Sequence, residues 1–159
     1  MRSKFMFPIP SKPKGKSVEM EINKTTNTNR KIQINYETDT PPQVLVVDDD
    51  PIFGKIIKKI AQDVDVDLVV CETINDFARL KSYDFDVVIM DYDLGAVTGF
   101  ELTSYLEKFT KEVIPVILVS QTDQNNSHEW PITITKFVHK RQGPFAVFSA
   151  ALEVHKDSK

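Results

Sequence analysis

From residue 43 onward, apolar positions fall by turns into short continuous runs and helical stripes. The run "VLVV" at 44–47 holds four apolar residues, three of them β-branched, the composition of a strand buried on both faces. In "PIFGKIIKKIAQ", which follows, Phe53, Ile56, Ile57 and Ile60 recur at i, i+3, i+4 and i+7, so the spacing predicts a helix burying that stripe. "LVVCE" is a second strand. Thr73 and Asp76, three apart, form a capping box opening a helix that buries Phe77 and Leu80. "DVVIMD" is a third strand, and residues 99 to 108 a helix with Leu102, Tyr105, Leu106 and Phe109 on its buried side. "VIPVILVS" gives a fourth strand. The stretch 121 to 131, "QTDQNNSHEWP", is polar and poor in helix formers, so a fourth helix there is expected to be short or degenerate. "ITKFVHK" is a fifth strand, and "GPFAVFSAALEVH" a last helix with Pro144 suited to its first turn. That helix carries Phe145, Val147, Phe148, Ala151, Leu152 and Val154, more than one stripe needs, which suggests a contact face for a second copy or for a folded-back tail. Strands alternating with helices predict an α/β domain, a doubly wound parallel sheet covered on both faces.

The first 42 residues read differently. Residues 1 to 17 alternate Lys with Pro, Ser and Gly and bury little. "SVEMEI" and "KIQINYE" alternate apolar and polar positions around "NKTTNTNR", so the extension is expected to be disordered or a marginal hairpin. Pro41 and Pro42 mark the boundary to a domain at 43–159. Residues 1 to 42 carry eight Lys and Arg against four Asp and Glu, while the rest carries twelve against nineteen. A basic extension thus precedes an acidic body, and the acidic body argues against nucleic acid as the ligand. At 159 residues and 41% hydrophobic content, one domain with a real core is expected. The lone Cys71 cannot form a disulfide within the chain, and a reducing cytoplasm is its simplest setting. The start "MRSKFMFPIP" is too short and proline-broken for a signal peptide, and no run reaches the length of a membrane span.

Charge placement sharpens the picture. Asp48 and Asp49 follow the first strand, and Asp91 ends the third. In a flavodoxin-like strand order, 2-1-3-4-5, those strands are neighbours, and their carboxyl ends border the ligand crevice. Convergent carboxylates repel, and their pKa values rise unless a cation compensates. Hard oxygen ligands without His or Cys favour Mg2+, which takes one or two carboxylates and leaves positions for phosphate oxygens. Asp50, before Pro51 at a helix start, is assigned to N-capping, leaving Asp48 and Asp49 for the metal.

"VLVVDDDP", "VVIMDYDLGAVTGFEL", "VILVS" and "FVHK", in that order, resemble the receiver domain of response regulators over about residues 43 to 155. The resemblance implies a phosphoacceptor at Asp91 and Mg2+ held by Asp48, Asp49 and Asp91, with the backbone carbonyl of Asp93 as a further ligand. It implies that Ser120 is the hydroxyl residue closing the fourth strand, Lys140 the lysine after the fifth, and Phe137 the aromatic switch residue. The chemistry suits these types: a carboxylate forms an aspartyl-phosphate, and phosphoryl transfer needs chiefly positioning and charge neutralisation. This chain departs from the family pattern in three places. Gly95 stands where a proline is usual in the phosphoacceptor loop, Lys140-Arg141 replaces the Lys-Pro pair, and the stretch 121–131 replaces a full helix.

The reading that follows is a stand-alone receiver that accepts a phosphoryl group on Asp91 from a histidine kinase or phosphotransfer protein. It then signals by binding a downstream protein, no effector domain being expected past the last helix. Two alternatives stand beside it. One is a receiver-like binding module that does not use phosphorylation. The other is a small phosphatase of haloacid-dehalogenase type, in which Asp91 and Asp93 are nucleophile and acid; against it, that motif belongs on an opening strand, and here an acidic pair precedes it.

Overall fold

The computed structural model describes residues 40–124 and 129–158. The expected hairpin of the basic extension lies outside these residues, as does 125–128 of the polar stretch. In chain order the elements are β1 (Gln43–Val47), α1 (Pro51–Asp63), β2 (Asp67–Cys71), α2 (Ile74–Ala78), β3 (Val87–Asp91), α3 (Gly99–Phe109), β4 (Val116–Ser120), β5 (Ile134–His139), one 3-10 turn (Lys140–Gln142) and α4 (Pro144–Asp157). The strands form one sheet in the order β2-β1-β3-β4-β5. Every pairing in it is parallel. This is the doubly wound, flavodoxin-like architecture expected from the alternation.

Side-chain parity along the strands divides the core in two. Val44, Val46, Val87, Ile89, Ile117 and Val119 face α1 and α4, where they meet Phe53, Ile57, Val147, Phe148 and Leu152. Leu45, Val47, Val88, Met90, Val116 and Leu118 point to the opposite side, toward Phe77, Leu102 and Leu106. β3 and β4 are buried at every position, as continuous apolar strands in a covered sheet should be.

The expected caps form. Asp50 accepts from the backbone N–H of Ile52 and Phe53, with Pro51 at the start of α1. Thr73 and Asp76 make a reciprocal capping box at α2, and Thr98 with Glu101 makes a second at α3. Where the helices end up rotated differs in detail from the apolar stripes. On α1 the buried face is Phe53, Gly54, Ile57 and Ala61, whereas Ile56 is 44% exposed. Small Gly54 and Ala61 let the helix settle toward them against the sheet, which rolls Ile56 outward. On α3 the buried residues are Gly99, Leu102, Thr103 and Leu106, and Tyr105 and Phe109 lie 41% and 58% exposed. There too the small residues, Gly99 and Thr103, set the face.

Two further expectations need correction or narrowing. The apolar surplus of α4 is taken up inside the chain: Val147, Phe148, Ala151 and Leu152 are buried, and Phe145 and Val154 pack half-buried against the same cluster. No large apolar side chain of α4 is exposed among the described residues, so the apolar motive for a homodimer through this helix is gone. Between β4 and β5 the described residues contain no α-helix, in keeping with a degenerate fourth helix. No helix among the described residues is long and apolar enough to cross a membrane.

Candidate functional site

Every carboxylate of interest sits where a strand stops. β1 ends at Val47, and Asp48 continues in register by donating its N–H to the Cys71 carbonyl oxygen at 3.1 Å. Asp91 is the last residue of β3, paired with Val119 on β4. Since β1 and β3 are adjacent and parallel, their carboxyl ends fall on one rim. Side-chain oxygens of Asp48, Asp49 and Asp91 lie within 4.8 Å of one another. Asp48 and Asp91 are buried and Asp49 is exposed, so two charges are sunk in the protein and one faces solvent.

Lys140, just past β5, reaches into this cluster. Its Nζ lies 2.8 Å from Asp48 Oδ2, donates to Asp48 Oδ1 at 2.9 Å, and donates to Asp91 Oδ2 at 3.3 Å. The ammonium thus bridges both buried carboxylates and stands closer to Asp48 than to Asp91. Beneath it the Phe53 ring centroid is 5.0 Å away, an apolar floor that keeps the lysine's surroundings dry.

One cation does not balance three anions. Burial, followed by the charge of Asp48, raises the Asp91 carboxyl to a pKa of about 7, although Lys140 pulls the other way. Burial likewise raises Asp48 against the hydrogen bond from Lys140. Burial lowers the Lys140 ammonium, but its hydrogen bond and charge interaction with Asp48 and Asp91 outweigh this and hold its pKa above the ordinary lysine value. Asp48 Oδ2 is buried and, apart from the ion contact to Lys140, has no aligned hydrogen-bond donor among the described residues. An under-coordinated buried oxygen, in an all-oxygen cluster with surplus negative charge, fits a hard divalent cation such as Mg2+. Asp93 lies in the loop after β3, where an antiparallel bridge to Thr98 uses the Tyr92 carbonyl oxygen and the Leu94 N–H. That pattern leaves the Asp93 carbonyl oxygen outside the bridge, while its side chain accepts from the Gly95 N–H at 3.2 Å. Gly95 has φ +78°, a conformation its missing Cβ permits in this tight loop.

Ser120 closes β4 on the same rim, one position beyond the partner of Asp91. It is buried, and its Oγ accepts from the Thr122 N–H at 3.1 Å and from Gln124 Nε2 at 3.3 Å. The hydroxyl therefore organises the loop that follows it. Phe137 on β5 is half-buried, its ring 6.2 Å from that of Trp130 and 6.4 Å from that of His139. Cys71 is buried at the end of β2, where desolvation pushes its thiol to about 11, so it supplies no thiolate near neutral pH.

The structure also places residues that the sequence did not single out. Gly99, the first residue of α3, lies so close to β3 that a Cβ there would overlap the Asp91 carbonyl oxygen and crowd Met90 Cγ at 2.9 Å. Trp130 and Phe100 pack beside Phe137 in the aromatic layer on that face. A glycine at a helix start is a weak signal, and ring contacts between distant segments leave none in a one-dimensional pattern.

Residues 44–148 match the model of the response regulator receiver domain family. A two-component response regulator of Oryza sativa subsp. japonica, ORR26, is 35% identical over 82 residues, which is 49% of this chain but 14% of that protein. The chain therefore corresponds to a small part of this relative's length. Among solved structures, the CheY-like receiver domain protein from Methanospirillum hungatei JF-1 superposes with TM-score 0.65 at 17% identity, covering 74% of this chain and 96% of its own. The receiver domain of the Francisella response regulator 1452 gives TM-score 0.63 at 24% identity, covering 74% and 99%. At these identities the structures speak to the fold, and the family match covers well over half of the sequence. The chain belongs to the response regulator receiver domain family, the regulatory domains of two-component signalling.

Proposed function

We propose that this receiver takes a phosphoryl group on Asp91 from a histidine kinase or phosphotransfer protein, and that the modified state is read by a downstream protein. The observation that carries the reading is the bridge from Lys140 Nζ to Asp48 and Asp91 across 92 and 49 positions of sequence. A purely structural lysine is not needed where burial makes the ion pair expensive to desolvate.

Asp48, Asp49, Asp91 and the Asp93 carbonyl oxygen would hold Mg2+, which when bound neutralises charge on the phosphoryl oxygens. A carboxylate oxygen of Asp91 attacks the donor phosphorus as the phosphorus–nitrogen bond of a phosphohistidine breaks, and the imidazole leaves with the bonding pair. Lys140, already within reach of Asp91, follows the negative charge onto the new phosphoryl group. Ser120 then donates its hydroxyl to a phosphoryl oxygen. Because Thr122 and Gln124 are tied to that hydroxyl, the loop is drawn inward with it. Phe137, on the neighbouring strand, is the aromatic that repacks in response.

Incubation of the full chain with a small-molecule phosphodonor and Mg2+ should add one phosphoryl group by intact-mass measurement, and Asp91→Asn should add none. Equal adduct on both proteins, or none on the wild type, refutes the reading.

A further inference from the structure

Phe137 does not stand alone, and its neighbours lead back to Asp91 by a path that avoids Ser120. The path begins in the backbone. Gly99 brings the first turn of α3 against the Asp91 carbonyl, leaving no room for even a methyl group between them. Its N–H donates to the Tyr92 carbonyl oxygen at 2.7 Å, and the Tyr92 N–H donates to the Val119 carbonyl oxygen at 2.8 Å. Tyr92 is thus pinned between α3 and β4, and a shift of the chain at Asp91 cannot be absorbed locally.

From there the contacts pass between rings. Tyr92 meets Phe100 edge-on with centroids 5.1 Å apart, Phe100 meets Trp130 at 6.3 Å, and Trp130 meets Phe137 at 6.2 Å. Phe137 in turn lies edge-on to His139 at 6.4 Å, and His139 is the residue before Lys140. All four rings from Tyr92 to Phe137 pack against the cluster that contains Met90, Leu118 and Ile134, so a displaced ring presses on its neighbour. Trp130 is the weak link. Its indole N–H is buried and has no acceptor among the described residues, and an unpaired buried donor disfavours the position it occupies. A placement that let this N–H reach an acceptor or water would gain the bond missing here, so Trp130 is the ring of the row with most to gain by moving.

We infer that Phe100 and Trp130 are coupling residues, forming a second route from the backbone of Asp91 to Phe137 that operates without the Ser120 hydroxyl. The inference rests on the proposal that Asp91 is the phosphoacceptor. It makes Trp130, whose ring lies between Phe100 of α3 and Phe137 of β5, a working part of the switch.

Trp130 is the chain's one tryptophan, so its emission reports the route directly. The full chain is loaded with Mg2+ and beryllofluoride as a phosphoryl analogue, and bound analogue is counted by fluorine NMR. Loading should shift the emission, and Ser120→Ala should keep part of that shift per bound analogue. Phe100→Ala should load while losing most of the shift, and Phe100→Tyr, which retains the ring, should restore it. If Phe100→Ala does not fold, Phe100→Leu keeps the apolar bulk without the ring and serves the same comparison. The inference is overturned if Phe100→Ala or Phe100→Leu shifts like the wild type, if Ser120→Ala loses the shift while loaded, or if the wild type loads with no shift. A wild type that binds no analogue overturns the phosphoacceptor reading itself.

Discussion

The two faces of the sheet are covered with different material. Under α1 and α4 the packing is tight and mostly aliphatic, with Ile57, Val147, Phe148 and Leu152 at most 1% exposed. Over the other face the strands are just as buried, but the outer layer is aromatic and partly open. Tyr83, Tyr92, Phe100, Trp130 and Phe137 are half-buried there, and Tyr105 and Phe109 face solvent. The aliphatic face carries Lys140 above Phe53 and so holds the charged rim in one geometry. The aromatic face holds Phe137 and its neighbours, rings that keep part of their surface open. In the proposed switch, the first face fixes the charged rim and the second holds the rings that would respond to it.

The comparison breaks most visibly in stability. Phe148→Ala opens a cavity in the dry face and should cost about 3–5 kcal/mol, read as a lowered urea midpoint. Metal affinity is the next lever. Asp91, with its carboxyl raised to about 7, must lose a proton for Mg2+ to bind. Affinity by calorimetry should therefore climb by up to about tenfold per pH unit below that value and flatten above it. The same shift has a sign in stability without metal. The folded protein holds the Asp91 proton more tightly than the unfolded chain, so this contribution is full at acid pH. It is lost as pH rises from the ordinary carboxylate range, near 3.8, through about 7. Asp91→Asn should remove that slope. A smaller effect is expected at Asp50, whose carboxylate caps α1 on the dry face; Asp50→Ala should destabilise by about 1 kcal/mol. The smallest belongs to the open face, where Phe109→Ala should change stability by less than about 0.5 kcal/mol in the same urea titration.

Much of this arrangement was legible in residue order. Strands of β-branched residues and helices with Thr73–Asp76 or Asp50–Pro51 at their starts announce themselves locally, and parallel topology then brings Asp48, Asp49, Asp91, Ser120 and Lys140 to one rim. What local pattern could not supply was the outcome of packing. The exposure of Ile56, Tyr105 and Phe109 depends on where small residues let a helix sink, and the burial of the α4 surplus on how much of that helix α1 and the sheet cover. The closer approach of Lys140 to Asp48 is a matter of tenths of an ångström. Trp130 beside Phe137 and Phe100 joins three segments that no periodicity connects.

The central claim is that Asp91, bonded by Lys140 beside Asp48, is where the phosphoryl group goes. Borohydride reduction of the phosphodonor-treated chain, followed by peptide mass mapping, locates an acyl phosphate as homoserine. The account predicts homoserine at position 91 alone and only when Mg2+ is supplied. Homoserine at position 48, 49 or 93, or its formation at 91 undiminished in Lys140→Ala and without metal, would contradict it.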